Sequence, residues 1–367
     1  MTRGLYVHIP FCKQKCNYCD FASFAGQEKQ IDVYLDALQK EAAQYRAMPC
    51  QTLYIGGGTP SLLTTSQLQR LVEIICQNFS PIETFIESTF EANPESLTQK
   101  KLTLLHKVGF NRLSIGLQSF NDDELKTLGR VHNAKEFLQV YQHAKDSGFE
   151  NINVDLIAGL PGQTLGSFLE SLQRLMDLRP QHISVYGLQI EEGTPFFQQG
   201  VVCDQDLMRS MLEQAHLRLT QEGYVHYEIS NYALPGKQSV HNTNYWQNGE
   251  YVGIGSAAAS YQKGTRWQNT PSVQEYISRL NEKESPVVFS ERLTGKAKVG
   301  ETLLLALRQL DGVALSVEQQ TLFGKEIEKH IKNGLLICVK KKVKLSKEGL
   351  YLANEVFRSF VAPFEDA

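Results

Sequence analysis

The chain lacks any apolar run that approaches the ~20 residues needed to span a bilayer. It also lacks a strong excess of charge of one sign, because 37 basic and 40 acidic residues leave a formal net charge of −3. This mild acidity argues against a general nucleic-acid binder. No charged-then-apolar signal segment opens the chain, and we find no internal repeat or low-complexity segment. These absences predict a cytoplasmic globular protein that is not an integral membrane protein.

Cysteine is sparse outside one short segment. The chain has seven cysteines, an odd number, and three of them fall between positions 12 and 19. This usage fits a reducing cytosol better than a disulfide framework. The remaining four are predicted to be ordinary core or loop residues: Cys50, Cys76, Cys203 and Cys338.

The clustered cysteines have the spacing Cys12-x3-Cys16-x2-Cys19. Three thiolates are too few for a closed four-ligand structural zinc site. Soft thiolates at such short intervals suit an iron–sulfur cluster, and three ligands on a four-iron cube leave one iron open for chemistry. The alternative is a zinc site completed by His8 or Asp20, or three unrelated thiols.

Short apolar stretches alternate with helix-patterned segments along the first half of the chain. The six predicted strands are residues 5–9, 52–55, 85–90, 112–115, 152–157 and 182–186. The predicted helices are residues 31–46, 66–77, 97–107, 134–147, 165–178 and 205–222. Alternating strands and helices imply βαβ units with a parallel sheet. Six such units predict an α/β protein with a partial (β/α)6 barrel, and a doubly wound open sheet is the alternative.

The pattern changes after residue 222, so we predict three units: a barrel over 1–222, a connecting region over 223–293 and a C-terminal domain over 294–367. Residues 223–269 are polar and aromatic, with little regular periodicity. The last unit has helix patterns near 302–310, 316–323 and 327–333, then a hairpin pattern over 335–345 and a closing helix over 347–360. Helices followed by a hairpin indicate a small winged-helix-like α+β domain.

Polar residues follow the predicted strands, where a barrel of this kind collects its chemistry. Residues 56–59 (Gly-Gly-Gly-Thr) follow the second strand, and glycines let backbone amides approach a ligand closely. Glu91 ends the third strand, Gln118 ends the fourth, Asp155 lies on the fifth, and Arg130 lies in a segment after the fourth. Carboxylates, amides and a guanidinium around one crevice suit a zwitterionic ligand that carries an amine, a carboxylate and a ribose.

With these motifs the sequence resembles the radical S-adenosylmethionine (SAM) superfamily over essentially the whole chain. The resemblance implies a partial (β/α)6 barrel in which Cys12, Cys16 and Cys19 hold a 4Fe–4S cluster and SAM binds the fourth iron. Residues 6–12, 56–61, 112–120 and 155–161 look like the pattern of the oxygen-independent coproporphyrinogen III oxidase family. Carried over position by position, the resemblance implies SAM contacts from Tyr6, Tyr18, Gly57, Gly58, Thr59, Glu91, Gln118, Arg130 and Asp155.

Two departures separate the chain from the oxidase. The oxidase carries a fourth cysteine two residues after the third, where this chain has Phe21, and it has a longer segment before its cluster. In both respects the sequence resembles the HemW heme chaperones, a sister group without oxidase activity.

A short motif near residue 241 also resembles the HemW group. His241, Asn242, Tyr245 and Trp246 form a His-Asn-x-x-Tyr-Trp motif that resembles one associated with heme binding there. Histidine is a common axial ligand of heme iron, and aromatic rings offer flat apolar faces to a porphyrin. The alternative is a polar histidine in an aromatic loop that packs on the barrel.

The resemblance therefore implies a heme chaperone that binds heme and passes it to an apo-hemoprotein, inserted in or associated with a membrane. Its implied cofactors are a 4Fe–4S cluster, SAM and heme. Two enzymatic alternatives stay open: an oxygen-independent coproporphyrinogen III dehydrogenase that forms protoporphyrinogen IX by oxidative decarboxylation, and another radical SAM enzyme that acts on heme. Whether the chain is an enzyme is left undecided, and so is its oligomeric state, for which a homodimer is one option.

Overall fold

The computed structural model describes residues 3–362, so residues 1–2 of the predicted barrel range and 363–367 of the predicted C-terminal range lie outside the described residues. The strands of three residues or more are β1 (Gly4–Ile9), β2 (Thr52–Gly57), β3 (Glu87–Ala92), β4 (Arg112–Gln118), β5 (Ile152–Ala158), β6 (His182–Gly187), β7 (Val225–Glu228), β8 (Asn231–Ala233), β9 (Tyr251–Ile254), β10 (Ala259–Gln262), β11 (Thr265–Asn269), β12 (Val287–Arg292), β13 (Leu336–Val339) and β14 (Lys342–Leu345).

Helices follow most of these strands. They are α1 (Ile31–Ala42), α2 (Thr65–Asn78), α3 (Gln99–Lys107), α4 (Asp122–Thr127), α5 (Ala134–Asp146), α6 (Leu165–Leu178), α7 (Pro195–Gln198), α8 (Gln205–Gln221), α9 (Val240–Trp246), α10 (Val273–Asn281), α11 (Gly295–Leu307), α12 (Val317–Lys332), α13 (Lys347–Tyr351) and α14 (Ala353–Arg358). Over residues 3–362, no helix is both long enough and apolar enough to cross a membrane.

Twelve strands form one sheet with the order β12-β11-β10-β9-β1-β2-β3-β4-β5-β6-β8-β7. Strands β1 to β6 are parallel, and each pairs with the next along the chain. A doubly wound sheet would instead reverse its strand order at a switch point. The prediction of a partial (β/α)6 barrel is therefore confirmed, and the doubly wound alternative is wrong.

The region of weak periodicity after residue 222 contains more regular structure than its sequence pattern indicates. Strand β9 pairs parallel with β1, and β10 to β12 continue antiparallel from it, while β8 and β7 extend the other edge beyond β6. Strands β7 to β11 are three to five residues long, too short for a period of two to stand out in the sequence.

The C-terminal unit differs from the prediction in its helices. The two helices predicted near 316–323 and 327–333 are the single helix α12, which tolerates Gly324 because an isolated glycine costs only about 1 kcal/mol relative to alanine. The predicted closing helix is divided at Leu352 into α13 and α14. The predicted hairpin is present as β13 and β14.

The barrel strands present apolar residues to the helices and polar residues to the lumen. On β1, Leu5, Val7 and Ile9 are fully buried in the core, whereas Tyr6 and His8 alternate with them. Successive side chains of a strand point to opposite faces, so Tyr54 in register with Tyr6 also faces the lumen. The apolar core thus surrounds the barrel, and the lumen is left for polar chemistry.

One buried acid joins the first helix to the strands that extend the sheet. The Glu41 carboxylate on α1 accepts hydrogen bonds from the Gly255 N–H (2.7 Å), the Asn269 side-chain amide (2.6 Å) and the Tyr276 hydroxyl. Burial raises the pKa of Glu41 to about 7, against the lowering effect of these three donors. The folded state therefore holds a proton on Glu41 at pH values where the unfolded chain has released it.

We expect the free energy of unfolding to fall as the pH rises through the interval from 4.5 to about 7, because the folded state binds more protons there. The contribution from Glu41 is at most about 3 kcal/mol. In Glu41→Gln, which cannot titrate, this part of the pH dependence should disappear from urea unfolding curves. The exposed Glu318→Gln variant is the control, and equal slopes in Glu41→Gln and the wild type would contradict the assignment.

Candidate functional site

The three clustered cysteines lie together at the carboxyl end of β1. Cys12 is in a two-residue strand, Phe11–Cys12, that pairs with Phe24–Ala25, and the loop between them carries Cys16 and Cys19. Burial raises the pKa of the Cys12 and Cys19 thiols, and the neighbouring Cys16 raises both further. The short strand pair thus holds three thiols within electrostatic reach of one another.

Three polar side chains connect Cys12 to Cys16. Thr59 Oγ1 donates to Cys12 Sγ (3.3 Å) and accepts from Asn93 Nδ2 (3.0 Å). Arg130 donates from Nη2 to Asn93 Oδ1 (2.6 Å) and from Nη1 to Cys16 Sγ (3.6 Å). Hydrogen bonds to a ligating sulfur tune and orient a metal centre. This chain of contacts supplies such donors to two of the three thiols.

The glycine turn after β2 packs directly against the cysteine strand. A Cβ on Gly58 would lie 2.8 Å from the Phe11 carbonyl oxygen and 3.0 Å from Cys12 Sγ. Gly57 has a φ of +111°, and its Cβ would lie 2.7 Å from the His8 ring. Only glycine fits at both positions, which explains how the turn brings Thr59 to the sulfur.

Two partly buried carboxylates face the lumen beside this turn. Glu91 accepts from the Tyr54 hydroxyl (2.5 Å) and the Gly57 N–H (3.3 Å), and Asp155 accepts from Asn153 Nδ2 (2.8 Å). Burial raises the pKa of Glu91 to about 7, and the nearby Asp155 adds to the rise. Burial also raises the pKa of Asp155.

Gln118 and Arg130 complete the same edge. Gln118 has a φ of +71° beside a register shift between β4 and β5, so its side chain leaves the strand pattern. A Cβ on Gly116 would lie 2.9 Å from Gln118 Nε2 and 3.3 Å from Arg130 Nη2. The Gly116 carbonyl oxygen accepts from Arg130 Nη2 (2.9 Å), which fixes the guanidinium next to the Gln118 amide.

Both tyrosines predicted at the site are near it. Tyr18 packs against the apolar cluster that includes Leu128 and Ile157, and burial raises its pKa. The Tyr6 hydroxyl lies in the lumen, 2.9 Å from His8 Nδ1.

The zinc alternative finds no support in the geometry of His8. Its Nδ1 contacts Tyr6 and its Nε2 lies 2.8 Å from the Ala22 carbonyl oxygen, so both ring nitrogens are engaged. In the described part of the chain, no three His, Cys, Asp or Glu side chains converge as ligands of a single metal ion. A four-iron cube does not need such convergence, because each thiolate binds a different iron.

The His241 motif lies at the opposite end of the barrel. His241 is 1% exposed, and its Nδ1 lies 2.8 Å from Thr52 Oγ1 while its Nε2 lies 2.8 Å from the Tyr245 hydroxyl. The Glu87 carboxylate accepts from the backbone N–H groups of His241 (2.9 Å) and Val240 (2.8 Å), which anchors the start of α9. The structure therefore does not bring this motif to the cysteine edge.

The other two residues of the motif face different surroundings. The Asn242 backbone N–H donates to the Ser239 hydroxyl (3.3 Å), and the Asn242 side chain is partly exposed. The Arg308 guanidinium lies over the Trp246 ring, 4.3 Å from its centroid. Tyr54 connects the two ends of the barrel, because its hydroxyl bonds Glu91 and its ring lies 5.2 Å from His241.

Sequence reasoning missed Asn93 and Tyr54. Asn93 follows the carboxyl end of β3, so the rule that selected Glu91 could also have selected it. Tyr54 is in the middle of β2, and only the register with Tyr6 shows that it faces the lumen.

Comparison with known proteins gives a consistent result. The Radical SAM superfamily model matches residues 6–175. The chain is 36% identical to the heme chaperone HemW of Bacillus subtilis (strain 168) over 98% of this chain and 99% of that relative. The chain belongs to the HemW family. It is also 35% identical to HemW of Lactococcus lactis subsp. lactis (strain IL1403), over 97% of this chain and 96% of that relative.

A solved structure agrees with the fold assignment. The coproporphyrinogen III oxidase HemN from Escherichia coli, described as a radical SAM enzyme, superimposes with a TM-score of 0.86 at 25% identity. The match covers 98% of this chain and 90% of that one. This chain thus shares the fold of a radical SAM enzyme over both the barrel and the C-terminal unit.

Iron loading tests the cysteine site. After anaerobic reconstitution, we expect about four irons and four sulfides per chain, as for a cubane cluster. A protein with Cys12, Cys16 and Cys19 all replaced by alanine should load none, because no thiolate remains at the turn. The exposed Cys338→Ala variant is the matched control. Full iron content in the triple variant would overturn the assignment.

Proposed function

We propose that this member of the HemW family is a heme chaperone: it binds heme and passes it to an apo-hemoprotein. The observation that carries the proposal is the 36% identity, spread over 98% of the chain, to a relative named as a heme chaperone. Phe21 supports it, because the oxidase family has its fourth cysteine at this position. Phe21 is 65% exposed beside the cysteine loop.

The cysteine loop fits a 4Fe–4S cluster. Its three thiols lie within electrostatic reach of one another, and Thr59 and Arg130 donate to two of the sulfurs. Such donors offset the negative charge that a thiolate-bound cluster carries. Cys12, Cys16 and Cys19 are accordingly the proposed iron ligands, and Gly58 leaves the space they need.

The strand ends fit SAM. Burial of Glu91 and Asp155 disfavours their ionised forms, so a ligand that brings cationic charge and ribose hydroxyls would relieve that cost. Arg130 and the Gln118 amide supply donors for a carboxylate and for ring or hydroxyl acceptors. The other proposed contacts are Tyr6, Tyr18, Gly57, Gly58 and Thr59. Bound next to the cluster, SAM would supply radical chemistry. In a chaperone, the cluster and SAM would serve assembly or heme transfer and not porphyrin decarboxylation.

The pH dependence of SAM binding tests the Glu91 contact. Because burial holds the pKa of Glu91 at about 7, the ionised carboxylate is lost below this pH, and we expect SAM affinity to fall toward about tenfold per pH unit there. Glu91→Gln should bind SAM more weakly at pH 8 and show a shallower profile, with Asp155 as the remaining carboxylate. Anaerobic calorimetry on cluster-loaded protein measures both. Unaltered affinity and an unaltered profile in Glu91→Gln would remove Glu91 from the site.

The proposed heme contacts are His241, Asn242, Tyr245 and Trp246, and their geometry adds a condition. Both ring nitrogens of His241 already have partners, so axial ligation requires at least one of these hydrogen bonds to break. Each bond costs about 0.5–1.5 kcal/mol to lose, which heme–iron coordination can offset. An altered Soret band in His241→Ala would support ligation through this residue, whereas an unaltered one would move the ligand elsewhere.

Two assays separate the proposal from its enzymatic alternatives. Under anaerobic reducing conditions with SAM, we expect no protoporphyrinogen from coproporphyrinogen, with the oxidase itself as the positive control. Heme incubated with reductant and SAM should be recovered chemically unchanged, which excludes a radical enzyme that acts on heme. Robust turnover in the first assay, or modified heme in the second, would replace the chaperone function with an enzymatic one.

A further inference from the structure

The barrel and the C-terminal unit meet along a seam next to Trp246. The Leu310 N–H donates to the Tyr227 carbonyl oxygen (3.0 Å), and Gln309 forms a bridge with Glu228 on β7. Arg308, the residue before this bridge, follows α11. The C-terminal unit thus places one guanidinium at the edge of the barrel.

The Arg308 guanidinium has unused hydrogen-bonding capacity. It lies 4.3 Å from the centroid of the Trp246 ring, and among the described residues it donates no hydrogen bond. Its Nε is buried without a partner, while 28% of the side chain is exposed. A guanidinium has five N–H donors in a rigid fork that matches a carboxylate. Stacking on Trp246 therefore orients this fork without satisfying it.

Glu228 does not satisfy it either. Glu228 Oε2 lies 3.9 Å from Arg308 Nη2, which is too far for a hydrogen bond, and Oε2 has no other partner. Its Oε1 accepts from the Ser230 N–H (3.0 Å) and from Asn231 Nδ2, which holds the carboxylate in place. Arg308 is partly buried, and its loose contact with Glu228 leaves its donors open to an anion that can form hydrogen bonds.

Arg308 also lies near residues that border the lumen. The Arg308 charge is within electrostatic reach of Tyr186 and Glu228. Tyr186 lies on β6, is 43% exposed, and is within reach of Asp155 and Glu91 as well as Glu228. Tyr186 therefore lies near the two carboxylates, and Arg308 lies near Tyr186.

We propose that Arg308, presented by Trp246, binds a carboxylate of the tetrapyrrole at the edge of the lumen. This inference rests on the proposed function and assigns a ligand contact to the C-terminal unit. The carboxylate takes the open N–H donors of Arg308 in a bidentate pair, which Glu228 cannot do from 3.9 Å. A propionate of heme has this chemistry, and its methyl ester does not.

The test compares heme with heme dimethyl ester, whose propionates are blocked. Wild-type protein should bind heme more tightly than the ester, by about tenfold or more for a charge-assisted bidentate contact. Arg308→Gln should lose this preference through weaker binding of heme, with its affinity for the ester unchanged. Arg308→Lys should keep part of the preference, because it keeps the charge but loses the fork.

Arg209→Gln is the matched control. Arg209 also joins the barrel to the C-terminal unit, through a bidentate pair with Glu348 (2.8 and 2.6 Å). Its guanidinium lies over the Tyr351 ring and not over Trp246. The Arg209→Gln variant should keep the full preference for heme. Circular dichroism and melting temperature establish that each variant is folded, and if Arg308→Gln is not, Arg308→Lys carries the comparison.

Three results would overturn the inference. Equal weakening of heme and ester in Arg308→Gln would assign Arg308 a purely structural role. An unchanged preference in that variant would place the carboxylate contact on another residue. If the wild type binds neither heme nor the ester, the proposed function is refuted, and this inference with it. If Arg308→Gln still binds the ester, the proposed function stays intact.

Discussion

The hydrogen-bond chain Cys12–Thr59–Asn93–Arg130–Cys16 is the constraint on which the site depends. Its members come from the segments after β1, β2, β3 and β4, which the parallel pairing of these strands brings to one edge. Asn93 is the central residue, because its amide donates to Thr59 and its carbonyl oxygen accepts from Arg130. A side chain without both a donor and an acceptor at this point would disconnect the two cysteines.

The barrel can support this arrangement because its strands separate two environments. Alternate residues bury an apolar surface against the helices, and that burial supplies most of the stability. The lumen then tolerates buried acids and tyrosines, whose raised pKa values reflect the cost of their desolvation. Polar residues in the lumen thus lie between the cysteine edge at one end and α9 at the other, with Tyr54 touching both.

Much of this could be predicted from the sequence, for physical reasons. The barrel strands are apolar and bounded by turn residues, and the cysteine spacing is local, so neither depends on distant parts of the chain. The surroundings of His241 do depend on them: its ring contacts Thr52, and the start of its helix is held by Glu87, both far away in sequence. The position of Arg308 likewise depends on a bridge between Glu228 and Gln309. These two residues are far apart in the chain, so no local sequence pattern indicates that they pair.

We propose that the protein delivers heme to another protein. The most direct measurement starts from the cluster-reconstituted protein loaded with heme. In one arrangement this protein is mixed with an apo-hemoprotein, and in the other a dialysis membrane separates the two proteins. We expect the Soret spectrum of the holo-acceptor to appear much faster in direct contact than across the membrane, because transfer would occur within a complex of the two proteins. Equal rates in the two arrangements would mean release of free heme, and would contradict a chaperone function.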